Sequence, residues 1–320
     1  MNPHQPPFAS QSSGHPSPPY RGRFAPSPTG HLHFGSLVAA VASYLDARHV
    51  NGEWLIRVED VDSVREVPGS VESILEALHA FGFRWDQTPV RQSARTALYD
   101  QALERLRVLG LAYPCSCSRA EIQAASPAAT GEELRYPGWC RNGVRASDRD
   151  IAWRFRVPDE PVSFTDAIQG QVTINVAADV GDFVVRRRDG LFAYQLAVVV
   201  DDADQGITHV VRGADLLTST PRQLLLQKAL GLPNPAYAHV PVATDDKGVK
   251  LSKSAGAGSV DLQQPRQELW RALRFLRQEP PAVLRRASLD ALWAWAIEHW
   301  RLDAPSNVRA RPLDTPDPPA

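Results

Sequence analysis

The sequence predicts an α/β fold: a doubly wound parallel sheet, interrupted by an inserted β-containing module and closed by a short C-terminal helical region. Three observations carry that expectation. After residue 20 the chain opens in the order strand, helix, strand, helix, which suits a parallel sheet with its crossovers packed on the faces. Between residues 112 and 189 this rhythm lapses into short alternating segments and all of the cysteines. From 190 to 260 the α/β pattern resumes, and 261–302 shows only helical spacing.

Each element has a local reason. Residues 1–20 are rich in Pro, Ser and Gln without apolar periodicity and are expected to be a disordered tail. A short strand over Arg21–Ala25 is broken by Pro26 and Pro28, and an Ala/Val/Leu-rich helix follows over Gly35–His49. Trp54-Leu55-Ile56-Arg57-Val58 is a short, largely apolar run that reads as a buried strand. Val71–Phe81 and Ala94–Leu109 have helical spacing, with Leu98, Leu103, Leu106 and Leu109 expected along one side of the second. These segments are expected to form the first half of the main α/β domain, residues 21–111. Within 112–189 the strand signals are Ala152–Val157 and Val172–Val176. The second half, 190–260, reads as a helix over Ala193–Asp201, a strand over Thr208–Arg212, a helix over Thr220–Leu230 and a strand over Ala238–Ala243. Helices follow, with Leu269, Leu273 and Leu276 and then Leu289, Leu292, Trp295 and Trp300 as core positions. Residues 303–320 are again Pro-rich and are expected to be a second disordered tail.

Bulk composition excludes several classes. A chain of 320 residues with 43% hydrophobic and 22% charged residues can bury a sizeable core. Its longest apolar stretch, Leu191–Val200, is interrupted by Gln195 and stops at Asp201-Asp202, too short for a span of roughly 20 residues. The start Met1-Asn2-Pro3-His4 lacks the charged and apolar regions of a secretory signal, so a cytoplasmic protein without a membrane contact is expected. A net charge of −1 argues against a general nucleic-acid coat but permits a local basic strip. Cys115, Cys117 and Cys140 cannot all pair with one another; they suit a metal site in a reducing compartment, or three buried free thiols.

Two segments carry chemistry. The first runs Arg23-Phe24-Ala25-Pro26-Ser27-Pro28-Thr29-Gly30-His31-Leu32-His33-Phe34-Gly35-Ser36 and places His33 and Gly35 where a strand gives way to a helix, so that backbone N–H groups and the positive helix end face an anion. The second, Lys250-Leu251-Ser252-Lys253-Ser254, offers two ammonium groups on a Ser/Gly-rich loop. Taken alone, His33 is also readable as a plain helix-terminus histidine and the lysines as a solvated loop.

Together, in this order, the two segments resemble the HIGH and KMSKS elements of class I aminoacyl-tRNA synthetases, with His33-Phe34-Gly35-Ser36 and Lys250–Ser254 as the local versions. Arg21–Arg65, including Arg57-Val58-Glu59-Asp60-Val61-Asp62, and Tyr194–Leu216, ending His209-Val210-Val211-Arg212-Gly213-Ala214-Asp215, resemble the glutamate branch of that class. The resemblance implies a Rossmann-like parallel sheet that activates L-glutamate with ATP and Mg²⁺. In it His33, Lys250 and Lys253 are catalytic, and His33, Gly35 and Lys253 bind ATP. It further implies that Arg23 and Arg212 meet carboxylates, that Glu59 meets the substrate ammonium, and that Ala25, Ser27 and Tyr194 supply neutral hydrogen bonds. Arg57, Glu59, Asp60, Asp62 and Arg65 are alternatively readable as a structural ion-pair network. Within the branch, the glutamyl-queuosine tRNA(Asp) synthetases are the nearest resemblance. They imply a Zn²⁺ held by Cys115, Cys117, Tyr136 and Cys140 in a zinc-binding segment over 115–140, with tRNA(Asp) carrying queuosine as partner to a monomer. The chain ends at residue 320, too soon after Ser254 for the helical domains that read an anticodon, which fits this expectation. A truncated glutamyl-tRNA synthetase acting on tRNA(Glu) and a non-catalytic RNA-binding paralogue are the alternatives.

Overall fold

A computed structural model describes residues 19–125, 134–245, 248–250 and 259–313. The sheet begins with β1 (Arg21–Phe24) and β2 (Glu53–Val58), which pair in parallel, and β2 in turn pairs with β3 (Val90–Arg91). Between β1 and β2 lies α1 (Phe34–His49), whose residues from Leu37 to Ala47 include eight buried apolar side chains. A helix buried nearly all round needs apolar partners on both sides. Here α1 packs on β1 and β2 beneath it and on α8 (Pro265–Phe275) and α9 (Leu289–Glu298) above it.

Between β2 and β3 the chain forms α2 (Ser70–Ala80), and after β3 it forms α3 (Thr96–Val108). The buried stripe of α3 is Tyr99, Leu103 and Leu106, whereas Leu109, expected on the same side, is 51% exposed. The helix has ended by Leu109, so the helical spacing no longer points that side chain inward.

Residues 112–189 divide between two sheets. Strands β4 (Ala112–Cys115), β5 (Ala152–Phe155) and β8 (Val184–Arg186) form an antiparallel sheet of their own, with the short helix α4 (Arg119–Ala125) beside it. The hairpin β6 (Val162–Asp166) and β7 (Gly170–Ile174) instead extends the main sheet, and α5 (Val176–Asp179) leads out of it.

The second half carries α6 (Tyr194–Asp204), β9 (His209–Gly213), α7 (Thr220–Leu230) and β10 (Ala236–Val240). Strand β10 lies parallel between β9 and β6. Pro221 in the first turn of α7 and Gly231 at φ 66° beyond its end are the residues that begin and stop a helix most readily. The Arg21 carbonyl accepts from Thr208 N–H at 2.9 Å, which seats β9 next to β1. The chain therefore winds outward from β1 in one direction and from β9 in the other. The crevice between their carboxyl ends is a topological switch point, where ligands of such sheets bind.

Two expectations are corrected at the edges. The single strand expected over Ala238–Ala243 is two, β10 and β11 (Val242–Thr244), because Pro241 has no N–H to continue the ladder. The C-terminal tail expected from residue 303 is held as far as Leu313: β12 (Ala310–Pro312) pairs in parallel with β11, and Arg311 donates to the Phe275 carbonyl at 2.9 Å. Backbone pairing rather than apolar patterning holds this segment, so composition concealed it. Tyr20, at the end of the expected N-terminal tail, stacks on His209 with ring centroids 4.0 Å apart and bonds Asp46. No helix among the described residues is long and apolar enough to cross a membrane.

Candidate active site

At the switch point β1 runs into the turn Ala25–Gly30. The turn is tied down on both sides: Glu59 N–H donates to the Pro26 carbonyl and Val67 N–H to the Pro28 carbonyl, both at 2.9 Å. Gly30 sits at φ 123°, a conformation that a side chain would strain. The turn delivers His33 to the N-cap of α1, where Nδ1 accepts from Ser36 N–H at 3.3 Å. A neutral ring that accepts at Nδ1 carries its proton on Nε2, which lies 2.9 Å from Ser36 Oγ. No acidic residue occupies the first turn of α1, so its positive end is not neutralised from within.

A cavity of about 830 Å³ opens here, within the range of small-molecule sites. Arg23, Ala25, Ser27, His33 and Gly35 line it from the β1–α1 side. Glu59, Tyr194, Arg212 and Lys250 line it from β2, α6, β9 and the segment after β11. Lys253 lies outside the described residues. Lys250 pairs with Asp215, Nζ to Oδ2 2.6 Å, at the rim. These nine residues come from segments more than two hundred positions apart in sequence and meet at one opening.

Burial organises the charges. Asp202 is 4% exposed and is shared by two guanidinium groups: Arg23 Nε at 3.1 Å and Arg57 Nη1 at 2.8 Å. Burial alone would raise the Asp202 carboxyl, but Arg23 and Arg57 outweigh it and hold the group below the usual carboxylate range. Glu59 has the opposite balance. Burial raises its carboxyl, and Arg57, 3.5 Å away, offsets this only in part. Arg57 therefore belongs to the structural network, whereas Glu59 also faces the cavity. Asp60 and Asp62 turn away into structure: Asp60 takes Ser93 N–H and Oγ, each at 2.8 Å, and Asp62 pairs with Arg65 at 2.7 Å and Arg187 at 3.0 Å.

Arg212 is 5% exposed and fixed from behind. Its Nε donates to His239 Nε2 at 3.0 Å, and its Nη2 to Thr220 Oγ1 at 2.9 Å and to Gln223 Oε1 at 2.8 Å. On the cavity side Nη1 donates to Tyr194 Oη at 3.2 Å. Sequence reasoning missed Asp202, Asp166 and His239. Their signals were an acidic pair ending an apolar run at Asp201-Asp202 and a histidine inside an apolar strand; both demand buried partners, and neither names them.

A second cluster sits at the β4–β5–β8 sheet. The sulfurs of Cys115, Cys117 and Cys140 lie within 4.8 Å of one another, all buried. Tyr136 Oη is 3.3 Å from Cys115 Sγ and 3.7 Å from Cys117 Sγ, and Cys140 N–H donates to it at 2.9 Å. Tyr136 is held there through its backbone, donating N–H to the Val180 carbonyl at 2.9 Å, beside Gly181. A Cβ on Gly181 would lie 2.4 Å from the Tyr136 carbonyl oxygen, so only glycine permits that approach. Burial raises the Cys117 thiol to about 11. At Cys140 burial acts in the same direction, but hydrogen bonds from the Arg145 and Ser116 backbone prevail and bring it down to about 6. The part of the expected zinc segment over 126–133 lies outside the described residues.

Residues 20–277 match the family described as "tRNA synthetases class I (E and Q), catalytic domain". A glutamyl-Q tRNA(Asp) synthetase of Dechloromonas aromatica is 57% identical over 287 residues, covering 89% of this chain and 95% of that protein. Its namesake in Pseudomonas aeruginosa is 53% identical over 281 residues, covering 88% and 93%. Among solved structures, a glutamate-tRNA synthetase of Elizabethkingia anophelis superposes with a TM-score of 0.76 at 29% identity, covering 92% of this chain and 68% of that one. The chain belongs to the class I tRNA synthetases for glutamate and glutamine, and within them to the family of the glutamyl-Q tRNA(Asp) synthetases.

Proposed function

We propose that this cytoplasmic enzyme activates L-glutamate with ATP as glutamyl-adenylate, without tRNA, and transfers the glutamate to queuosine at the wobble position of tRNA(Asp). The observation that supports activation is one cavity in which a buried guanidinium and carboxylate cluster faces the capped, acid-free N-terminus of α1. The tRNA assignment draws its support from the names of relatives more than half identical over nearly nine-tenths of the chain.

In this reading Glu59 pairs with the substrate ammonium, Arg23 donates to the α-carboxylate, and the remaining Arg212 N–H donates with Tyr194 to the side-chain carboxylate, each as a charge-assisted hydrogen bond. An oxygen of the α-carboxylate attacks the α-phosphorus of ATP, and the bond to pyrophosphate breaks. The His33 Nε2–H and the first N–H groups of α1 stabilise the charge that develops on phosphorus-bound oxygens. A preorganised donor of this kind contributes about 3–4 kcal/mol to transition-state stabilisation. Lys250, released from Asp215, and Lys253 neutralise the departing pyrophosphate. Mg²⁺ enters with ATP as its phosphate complex.

The test is glutamate-dependent exchange between ATP and pyrophosphate in the absence of tRNA; no exchange would refute the reading. Substrate ammonium favours ionised Glu59, so the glutamate KM should be flat above the raised Glu59 pKa and climb as pH falls through it. In Glu59→Gln that climb should vanish and the KM should be high throughout.

The thiol cluster fits a structural zinc ion. Four ligands at about 2.3 Å from a tetrahedral centre stand about 3.8 Å apart, and the Cys117–Cys140 sulfurs are 3.5 Å apart with Tyr136 Oη at similar range. Cys115, Cys117, Cys140 and Tyr136 would hold the ion, which would clamp β4 to the loop that follows it. Elemental analysis should find about one zinc per chain, and Cys117→Ser should lose both the zinc and thermal stability. Zinc content unchanged in that variant would place the ion elsewhere.

A further inference from the structure

We infer that the buried pair Asp166–His239 sets the hydrogen-bond polarity of Arg212 and Tyr194, and so selects a side-chain carboxylate over a carboxamide. The inference rests on the proposed glutamate site and assigns its specificity to residues that do not touch the substrate. Asp166 and His239 are positioning residues.

Asp166 is 1% exposed, and its Oδ1 accepts three backbone N–H groups: Ile168 at 3.0 Å, Gln169 at 2.8 Å and His239 at 3.1 Å. Its Oδ2 lies 2.5 Å from His239 Nδ1. A carboxylate only accepts, so the imidazole proton sits on Nδ1 and Nε2 offers a lone pair. That lone pair is what the Arg212 Nε–H meets at 3.0 Å. Burial also lowers the His239 pKa to about 4, so the ring stays neutral and Nε2 stays an acceptor at working pH.

The consequence reaches the cavity by counting donors. Arg212 has five N–H groups. His239, Thr220 and Gln223 take three, and Tyr194 Oη takes a fourth. The Gln223 amide is itself oriented, because its Nε2 donates to Gln195 Oε1 at 3.0 Å. One Arg212 N–H and the Tyr194 O–H are left for the substrate, an edge made only of donors. A carboxylate satisfies both donors. A carboxamide turned to satisfy one sets its NH₂ against the other, a mismatch that costs far more than a missing methylene.

Asp166→Asn tests this without changing volume. Three backbone donors keep the amide oxygen at the Oδ1 position, so the NH₂ faces His239 Nδ1. The ring proton must then move to Nε2, where it confronts the Arg212 Nε–H. In ATP–pyrophosphate exchange with the full chain, Asp166→Asn should raise the glutamate KM by about ten- to a hundredfold, leave the ATP KM unchanged and narrow the preference for glutamate over glutamine. His239→Leu should do the same. His239→Gln, whose amide donates to Asp166 and offers its oxygen to Arg212, should bring the glutamate KM back to within about threefold of wild type. A folded Asp166→Asn with unchanged glutamate KM overturns the inference, as does a His239→Gln as impaired as His239→Leu. If Asp166→Asn does not fold, the two His239 variants decide. A wild-type chain without glutamate-dependent exchange overturns the proposed function and this inference with it, whereas exchange that tolerates Asp166→Asn overturns the inference alone.

Discussion

Replacing Arg212 with leucine is expected to lower kcat/KM for glutamate by about a hundred- to a thousandfold in ATP–pyrophosphate exchange, while the ATP KM changes little. The magnitude follows from what the guanidinium does. It is 5% exposed, so it meets a carboxylate with little water to screen the attraction. Its removal also leaves His239 Nε2, Thr220 Oγ1 and Gln223 Oε1 without their donor. Truncating one partner of a buried, hydrogen-bonded charge pair costs about 2–5 kcal/mol, which corresponds to the stated range at its centre. Arg212→Lys is expected to recover little of this. A single ammonium cannot reach three acceptors behind it and a carboxylate in front. A kcat/KM for glutamate within tenfold of wild type in Arg212→Leu would mean that the substrate carboxylate binds elsewhere.

Asp202→Ala should destabilise the fold by about 3–5 kcal/mol, read as a lowered midpoint in urea denaturation. The aspartate is the common counterion of Arg23 and Arg57, both nearly or fully buried, and its removal takes the carboxylate from Arg23 and leaves Arg57 only the more distant Glu59 and Asp201. The pH dependence has a definite sign. The folded Asp202 pKa is depressed, so its contribution is fully present above the ordinary aspartate value of about 3.9 and is lost as pH falls through the lower, folded value. Wild type and variant should therefore converge in stability in strong acid. A midpoint in Asp202→Ala equal to wild type at neutral pH would show that Arg23 finds another partner and that Glu59 and Asp201 suffice for Arg57.

How much of this was legible in the sequence depends on how local each signal is. The helix at residues 34–49, the buried strand through Trp54–Val58 and the helix at 220–230 follow from apolar runs bounded by a cap, a proline or a glycine, all within one turn of the element. Arg23, Glu59, Tyr194 and Arg212 were identifiable because they stand in recognisable segments, and the cavity brings them together. What holds them was not legible. Asp202 reaches Arg23 across 179 positions, and Asp166 reaches His239 across 73. A buried polar side chain announces that it needs a partner, but only the winding of the sheet decides which one. The strand at 310–312 escaped for a related reason: its hydrogen bonds are to backbone, and no side-chain pattern encodes them.

The most direct test of the account is to offer labelled glutamate and ATP to the enzyme with three RNAs: tRNA(Asp) carrying queuosine, the same tRNA without the modification, and tRNA(Glu). Label is expected on the first alone, in an amount matching its queuosine content. Label on tRNA(Glu) alone, or on tRNA(Asp) regardless of queuosine, would contradict it.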